Sequence, residues 1–396
     1  MVGENGIYLL SMKETKFKHT EIGLIPEDWE IVPLEEVGSN YSYGVGAEAV
    51  PFDGKNKYLR ITDIDDQSHR FAPSPLVSPS YYCEDFVLKE NEIVVARTGA
   101  SVGKSYCYNS EDGRLIYAGF LMKFRVPRDD YRYIFYQLTT SRYQKWVAMN
   151  SVRSGQPGLN LMQLKEFLLS LPPTKEEQSR IASALFDIDT LIRDLDRTIE
   201  KKQNIRQGAM EQLLSGKSDW VECELLEIIN VIKGVQLNGS ELLEDGPYPM
   251  INGGVEPSGY TTNFNRNAET ITISEGGNSC GYVNFIHQKF WAGGHCYCVV
   301  IRKNVEIEKD FLYHLLKNSE KAIMAMRVGS GLPNVQSKTL LAMRVSYPAD
   351  IKEQRAIADT LTAMDDEIAV LQMERDKYAN IRSGMMDDLL TGAKRI

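Results

Sequence analysis

No stretch of about 18 apolar residues occurs, so no membrane-spanning helix is expected. The apolar cluster near the start, Ile7-Tyr8-Leu9-Leu10-Ser11-Met12, is too short for a secretory core and has no basic segment before it, which predicts a cytoplasmic protein. Cysteine is scarce. The six thiols, Cys83, Cys107, Cys223, Cys280, Cys296 and Cys298, form no C-x-x-C pair and no zinc spacing, and they read as reduced, mostly buried side chains. The five histidines are scattered without metal spacing, and neither a His-Glu-x-x-His motif nor a paired-acid motif stands out. Positive charge is also short, with 45 basic against 54 acidic residues and a net charge of -9, which excludes a general polyanion binder. Any nucleic-acid contact has to come from local patches or from a partner's charge. Nothing suggests disorder: 43% hydrophobic and 25% charged residues over 396 positions are enough for two to three globular cores.

What the chain does have is a repeat. At one fixed offset of 176, Glu177-Gln178 returns as Glu353-Gln354, and Ile181, Ala182, Leu185, Asp189, Ile192 and Leu195 fall on Ile357, Ala358, Leu361, Asp365, Ile368 and Leu371. The register continues ungapped. Asn204-Ile205-Arg206 meets Asn380-Ile381-Arg382, Gly208 meets Gly384, Met210 meets Met386, and Leu213-Leu214 meets Leu389-Leu390. A duplication of this length implies two similar halves, so function is to be sought in something two-fold that is read twice.

The repeated segments read as long helices. Ile181, Leu185, Ile188, Ile192, Leu195 and Ile199 are spaced alternately by four and three, as on a helix packing along one seam, and Ile357, Leu361, Met364, Ile368, Leu371 and Tyr378 keep the same register. Pro172-Pro173-Thr174 and Pro348-Ala349-Asp350 supply matching starts with acids in the first turn, and Gly216 and Gly392 mark matching ends. From Thr174 to Ser215 such a helix would be roughly 60 Å long. Two equal helices pair most simply antiparallel; the alternative is that each covers its own domain.

Ahead of each helix lies a domain-sized segment. Pro26-Glu27-Asp28-Trp29 and Lys217-Ser218-Asp219-Trp220 look like matching entrances, Tyr58-Leu59-Arg60-Ile61 matches Tyr248-Pro249-Met250-Ile251, and Tyr117-Ala118-Gly119 matches Trp291-Ala292-Gly293. Runs such as Glu92-Ile93-Val94-Val95-Ala96 and Thr270-Ile271-Thr272-Ile273 indicate strands, and Tyr131 to Met149 and Lys309 to Met326 indicate helices. The expected architecture is α+β: an extension over 1–19, a mixed sheet-and-helix domain over 20–171, a helix over 172–217, a second domain over 218–347 and a second helix over 348–396.

The entrance Thr20-Glu21-Ile22-Gly23-Leu24-Ile25-Pro26-Glu27-Asp28-Trp29, the Glu-Gln-x-x-Ile-Ala helix starts and the Leu-Leu-Ser-Gly and Leu-Leu-Thr-Gly helix ends resemble the specificity subunit of type I restriction-modification systems. The resemblance runs from about Thr20 to the end. It implies two target-recognition domains, each reading one half of a split site in double-stranded DNA, and two helices forming an antiparallel coiled coil that sets the half-site distance. It also implies two modification (methyltransferase) subunits as partners, with motor-nuclease subunits joining them. S-adenosylmethionine, ATP and Mg would belong to those partners. The chain itself is expected to be non-catalytic and to bind no cofactor: its only Pro-Pro pair, Pro172-Pro173, lies between Leu171 and Thr174, not in the Asn-Pro-Pro-aromatic loop of the adenine methyltransferases that resemble the partner.

One motif imitates a phosphate loop. Gly99-Ala100-Ser101-Val102-Gly103-Lys104-Ser105 has three residues between its glycines where that loop needs four, and its counterpart Gly277-Asn278-Ser279-Cys280-Gly281-Tyr282 lacks the lysine. A glycine turn approaching DNA is the better reading. Side chains able to reach bases or phosphates there are Lys57, Arg60, Arg97, Thr98, Ser101, Lys104, Arg153, Ser154 and Gln156 in the first domain. The second offers Asn252, Asn263, Arg266, Ser274, Asn278, Ser279, His295, Arg327, Ser330 and Asn334. On the helices' outer faces Arg193, Arg197, Lys201, Arg375 and Lys377 are candidates for meeting the modification subunits. A different reading also fits the heptads and the acidity: a coiled-coil scaffold carrying two protein- or glycan-binding domains.

Overall fold

A computed structural model describes residues 15–152, 156–329, 331 and 333–396. The chain folds into two compact units, Met1–Leu195 with Glu374–Ile396, and Asp196–Met373, so that each unit contains a piece of both long helices.

In the first unit the β-branched run becomes the strand Glu92–Ala96, buried along its whole length in an antiparallel sheet of order Ser39–Tyr43, Leu121–Arg125, Glu92–Ala96, Ser105–Cys107. A short parallel pair, Lys57–Leu59 with Leu115–Tyr117, lies beside it in sequence. The entrance strand Glu30–Pro33 pairs with Leu168–Leu171, bringing the start and end of the domain together. Trp29 is fully buried with its ring edge-on to Tyr133, at 6.4 Å between centroids. A further strand, Phe17–Thr20, pairs with Gly23–Pro26, so ordered structure begins ahead of Thr20; residues 1–14 of the N-terminal extension lie outside the described residues.

The second unit repeats the four-stranded sheet, the parallel pair and the closing pair; among its described residues the Phe17–Thr20 with Gly23–Pro26 and Ala49–Pro51 with Val77–Pro79 pairs have no counterpart, and Tyr260–Thr261 adds a strand to the parallel pair. Its sheet runs Ile229–Lys233, Cys296–Ile301, Thr270–Ser274, Val283–Ile286; its parallel pair is Tyr248–Ile251 with Trp291–Ala292; its closing pair is Val221–Glu224 with Arg344–Tyr347. Trp220 meets Phe311 as Trp29 meets Tyr133, again at 6.4 Å. Each expected helical patch is two helices. Tyr131–Gln137 and Ser141–Asn150 are separated where Thr140 caps the second by accepting from Tyr143 N, and Lys309–Asn318 and Glu320–Ala325 are separated at Ser319.

The parallel pairs also correct two sequence matches. Ile116 faces Tyr58 and Trp291 faces Met250, so Trp291 takes the place of Ile116 and not of Tyr117, and Met250 takes the place of Tyr58. Gly44 and Gly234 confirm this frame: a Cβ on Gly44 would collide with the carbonyl oxygens of Tyr117 and Ala118, and one on Gly234 with those of Ala292 and Gly293. Both sites require glycine because two backbones touch there.

The long helices are Lys175–Leu213, 39 residues, and Ile351–Leu390, 40 residues. Thr174 Oγ1 accepts from Glu177 N at 3.2 Å and Asp350 Oδ1 from Lys352 N at 2.8 Å, so the repeated starts are true caps. The repeated glutamines bind each helix to its domain. Gln178 Oε1 accepts from Asp130 N at 3.0 Å and Gln354 Oε1 accepts from Glu308 N at 2.8 Å, in both cases the residue that caps the start of the domain's first helix longer than one turn.

Within each unit the beginning of one long helix packs antiparallel against the end of the other. In the first, Ile181, Ala182 and Leu185 share the core of Trp29, Tyr133 and Leu169 with Met386, Leu389 and Leu390. In the second, Ile357, Ala358 and Leu361 share the core of Trp220, Phe311 and Val345 with Met210 and Leu214. Each such isoleucine, leucine or methionine contributes on the order of 2 kcal/mol. The heptad stripe therefore serves domain and partner helix together, and the two alternatives left open by the sequence are both realised. Further along, Ile188, Ile199 and Ile368 are buried, while Ile192, Leu195, Met364, Leu371 and Tyr378 are half-buried.

Ion pairs obey the same exchange. Arg382 holds Asp189 in the first unit, and Arg206 holds Asp365 in the second through Nε and Nη2, both at 2.8 Å. Glu177 is gripped by Arg395 at 2.6 Å and Glu353 by Lys217 at 2.7 Å. Replacing Gln354 by alanine should leave Glu308 N without its acceptor and lower the unfolding midpoint, at a cost of about 1–3 kcal/mol. Gly208→Ala, at an exposed helical site where nothing lies within 4 Å of the added Cβ, should raise it. Denaturant unfolding of both variants checks the opposite signs.

Candidate nucleic-acid interface

The strand Glu92–Ala96 leaves the sheet into the glycine turn, and six main-chain hydrogen bonds fix the path of that turn. Arg97 N donates to Phe120 O, Leu159 N to Arg97 O, Gly99 N to Pro157 O, Val102 N to Gly99 O, Gly103 N to Ala96 O and Lys104 N to Ser101 O, at 2.8 to 3.1 Å. The second unit has the same six. Glu275 N donates to His295 O, Val335 N to Glu275 O, Gly277 N to Pro333 O, Cys280 N to Gly277 O, Gly281 N to Ser274 O and Tyr282 N to Ser279 O, at 2.8 to 3.1 Å. With these amides engaged, the turn does not offer a phosphate the row of free N–H groups that a nucleotide loop presents.

The frames coincide but the side chains on them do not. Strand pairing puts Tyr43 opposite Met122 and Lys233 opposite Tyr297, so Tyr43, Arg97 and Phe120 occupy the positions of Lys233, Glu275 and His295. In the first unit the Arg97 guanidinium lies 4.6 Å from the centre of the Tyr43 ring, beside Phe120, which is 61% exposed. In the second, Lys233 Nζ reaches Glu275 Oε1 at 2.6 Å, the Tyr297 hydroxyl donates to the same oxygen at 3.0 Å, and His295 Nδ1 stands 3.7 Å from Glu275 Oε2. The same support thus carries aromatic, cation, aromatic in one copy and cation, anion, imidazole in the other.

Several residues expected at the interface have other partners. Lys57 Nζ donates to Asp112 O at 2.6 Å, and Arg60 grips the buried Asp63 at 2.7 and 2.9 Å. Lys104, only 10% exposed, ties Ile64 O at 2.9 Å and Asp66 at 2.5 Å. Asn252 Oδ1 accepts from His295 N, and the buried Ser274 donates to Gly253 O at 2.5 Å. Arg266 donates to Asn265 O, and Asn263 O accepts from Thr261. At the rim of the turns remain Arg97, Thr98, Ser101 and Gln156 in the first unit, with the Gln156 amide against Gly99, and Asn278, Ser279, His295, Arg327 and Asn334 in the second. Arg153, Ser154 and Ser330 lie outside the described residues. Tyr43, Phe120, Lys233 and Glu275 were not legible as site residues, because only the strand register reveals that they converge.

On the helices, Arg193 faces Glu111 of its own domain at 3.6 Å and Arg375 contacts Asp376 at 3.2 Å, whereas Lys201 and Lys377 are exposed. A separate cavity of about 670 Å³ within the second unit is lined by Arg206, Tyr313, His314, Lys317, Thr362 and Asp365 among others. Burial pulls the His314 pKa down to about 4, against the pull of Asp365, and its Nε2 bonds Thr362 Oγ1 at 3.0 Å. Among the described residues, no group of three or more histidines, cysteines or carboxylates could hold a metal ion, and no helix is long and apolar enough to cross a membrane.

Comparison with known proteins gives this arrangement its class. The family model of the type I restriction modification DNA specificity domain matches the chain twice, over residues 26–204 and 217–377. The chain belongs to that family: it is a type I restriction-modification specificity subunit with two target-recognition domains, and the family is non-catalytic. A Methanocaldococcus jannaschii protein, provisionally named the specificity subunit of the type I restriction enzyme MjaX, is 26% identical across 98% of this chain and 99% of its own length. A provisionally named type I specificity subunit of Mycoplasma pneumoniae is 31% identical over 45% of this chain, a stretch that spans 49% of that protein. The crystal structure of a type I restriction-modification S subunit from M. genitalium superposes with a TM-score of 0.70 over 91% of this chain and 96% of that one, at 21% identity, and shares its fold.

Lys104→Met should remove a donor from Ile64 O and an ion pair from Asp66, lowering stability by about 1–3 kcal/mol. Because Lys104 acts inside the domain, the sequence preference of the assembled complex should not change, which binding to a panel of duplexes checks.

Proposed function

We propose that this chain reads a bipartite, asymmetric site in double-stranded DNA, one half through each domain, and brings methyltransferase subunits to it. The observation that carries the reading is the pair of matching six-bond turn frames bearing unlike side chains. One scaffold presented twice with different chemistry suits a reader of two unlike half-sites, since base edges are distinguished by donor and acceptor pattern. Each domain is clamped by Gln178 or Gln354 onto a long unbroken helix, and that rigidity supports a fixed half-site separation. On a duplex, a change of one base pair in spacing is also a rotation of roughly 34 to 36 degrees, so a fixed spacer carries a fixed register.

The case for two partner subunits rests on surface that the chain presents twice. Asn204-Ile205 and Asn380-Ile381 are exposed at equivalent helix positions, with the isoleucines 53% and 41% accessible, beside the exposed Gly208 and Gly384. Next to Ile205 is a shallow hollow of about 470 Å³ lined by Arg197, Glu200, Lys201 and Asn204. The same exposed Asn-Ile-x-x-Gly surface shown twice suits two copies of one partner, the modification subunit. S-adenosylmethionine would be bound there, and ATP and Mg by motor-nuclease subunits, which would join the complex in the cytoplasm. Partners closing around the duplex would also supply the positive surface that a chain of net charge -9 lacks.

Methylome sequencing of a host carrying this chain with its modification subunit, against the subunit alone, tests the reading. A bipartite motif methylated only when both are present is expected. A stable complex with no such motif would overturn it in favour of a scaffold with two protein- or glycan-binding domains.

A further inference from the structure

The two turn frames end in groups of opposite hydrogen-bond polarity at one structural position. Arg97 can only donate; Glu275, ionised, can only accept. The Arg97 guanidinium carbon lies over the Tyr43 ring, 4.6 Å from its centre, and among the described residues no acceptor reaches the buried Arg97 Nε. Glu275 is held on one side only. Its Oε1 takes Lys233 and the Tyr297 hydroxyl, while among the described residues Oε2 has no hydrogen-bond partner, His295 Nδ1 at 3.7 Å being too distant for one. A carboxylate near DNA phosphates is costly unless neutralised, and Lys233 and His295 flank it for that purpose. Both groups thus combine a held position with unsatisfied hydrogen-bonding capacity; Glu275 Oε2 is closed to solvent beside the exposed His295 ring, so a base edge completes it by displacing that ring.

We propose that Arg97 and Glu275 are the paired specificity-determining residues of the two domains: Arg97 reads the acceptor edge of a guanine in one half-site, and Glu275, with the His295 ring displaced from Oε2, accepts from the amino group of a cytosine in the other. The pairing obeys base chemistry, because guanine presents O6 and N7 as acceptors in the major groove and cytosine presents its N4 donor. Tyr43 and Phe120 position Arg97, and Lys233 and Tyr297 position Glu275. The assignment rests on the bipartite-site reading and adds to it the group that reads each half.

The test uses the complex of the full chain with its modification subunit. Once the unmodified chain has defined a motif, binding is measured to duplexes carrying 7-deazaguanine, which lacks N7, at each guanine of one half-site, and N4-methylcytosine at each cytosine of the other. The unmodified complex should lose roughly ten-fold in affinity at one position of each kind. Arg97→Met should abolish the sensitivity to 7-deazaguanine in its half-site and leave the other half-site unchanged; Glu275→Gln should do the converse. The untouched half-site reports folding within the same molecule. If the unmodified complex is insensitive to both analogues, or each variant keeps the sensitivity of the parent, the assignment is wrong although the bipartite reading stands. Absence of any motif with the unmodified chain would instead remove the reading beneath it.

Discussion

The structure depends on an exchange between the duplicated helices. Asp189 and Arg206 have copies at Asp365 and Arg382, and each acid is held by the other copy's arginine: Asp189 by Arg382, Asp365 by Arg206. Antiparallel pairing of two copies produces this arrangement without any new residue, because a contact made once is made again with the roles reversed. The cores obey the same rule. Leu389 and Leu390 complete the first domain's core, and Leu214 completes the second's. Neither domain closes its core with its own sequence alone. The arginine pairs are partly buried, where charge-assisted bonds, bidentate from Arg206 to Asp365, fix geometry more than they add stability. Apolar burial supplies the energy, and the ion pairs select the register in which it is gained.

The exchange creates a division of labour. The invariant parts of the duplication, namely glutamine clamps, aspartate–arginine pairs and terminal leucines, all serve assembly, as do the two caps, Thr174 and Asp350. The differences between the copies lie on the turn rims, where Tyr43, Arg97 and Phe120 stand in the places of Lys233, Glu275 and His295. Glycines at Gly44 and Gly234 allow the backbone contact that keeps these rims superimposable. A support that is fixed by main-chain bonds tolerates side-chain change without refolding, which is the property a sequence reader needs.

The helices were legible because their information is local and periodic: the offset of 176, the heptad spacing and the caps at Thr174 and Asp350 can all be read along the chain. The family resemblance and the two-domain order came from the same segments. The rims were legible only in part. Lys57, Arg60 and Lys104 look like free cations in sequence, yet Asp112, Asp63 and Asp66 with Ile64 occupy them, and those partners are brought in by the fold. Matching Tyr117-Ala118-Gly119 to Trp291-Ala292-Gly293 aligned similar letters one residue out of register, and in a strand that slip exchanges the two faces. Glu275 carries no such signal in the sequence, because an acid does not resemble a DNA contact unless it stands in the position of an arginine.

We propose that the paired helices hold two readers at one separation. Inserting one heptad into each long helix, between Leu195 and Ile199 in the first and at the equivalent place in the second, would lengthen both by about 10 Å while keeping the stripe in phase. Methylation-motif sequencing of that variant with its modification subunit should show both half-sites unchanged and the spacer between them altered. Methylation of the original motif with its original spacer would contradict the account.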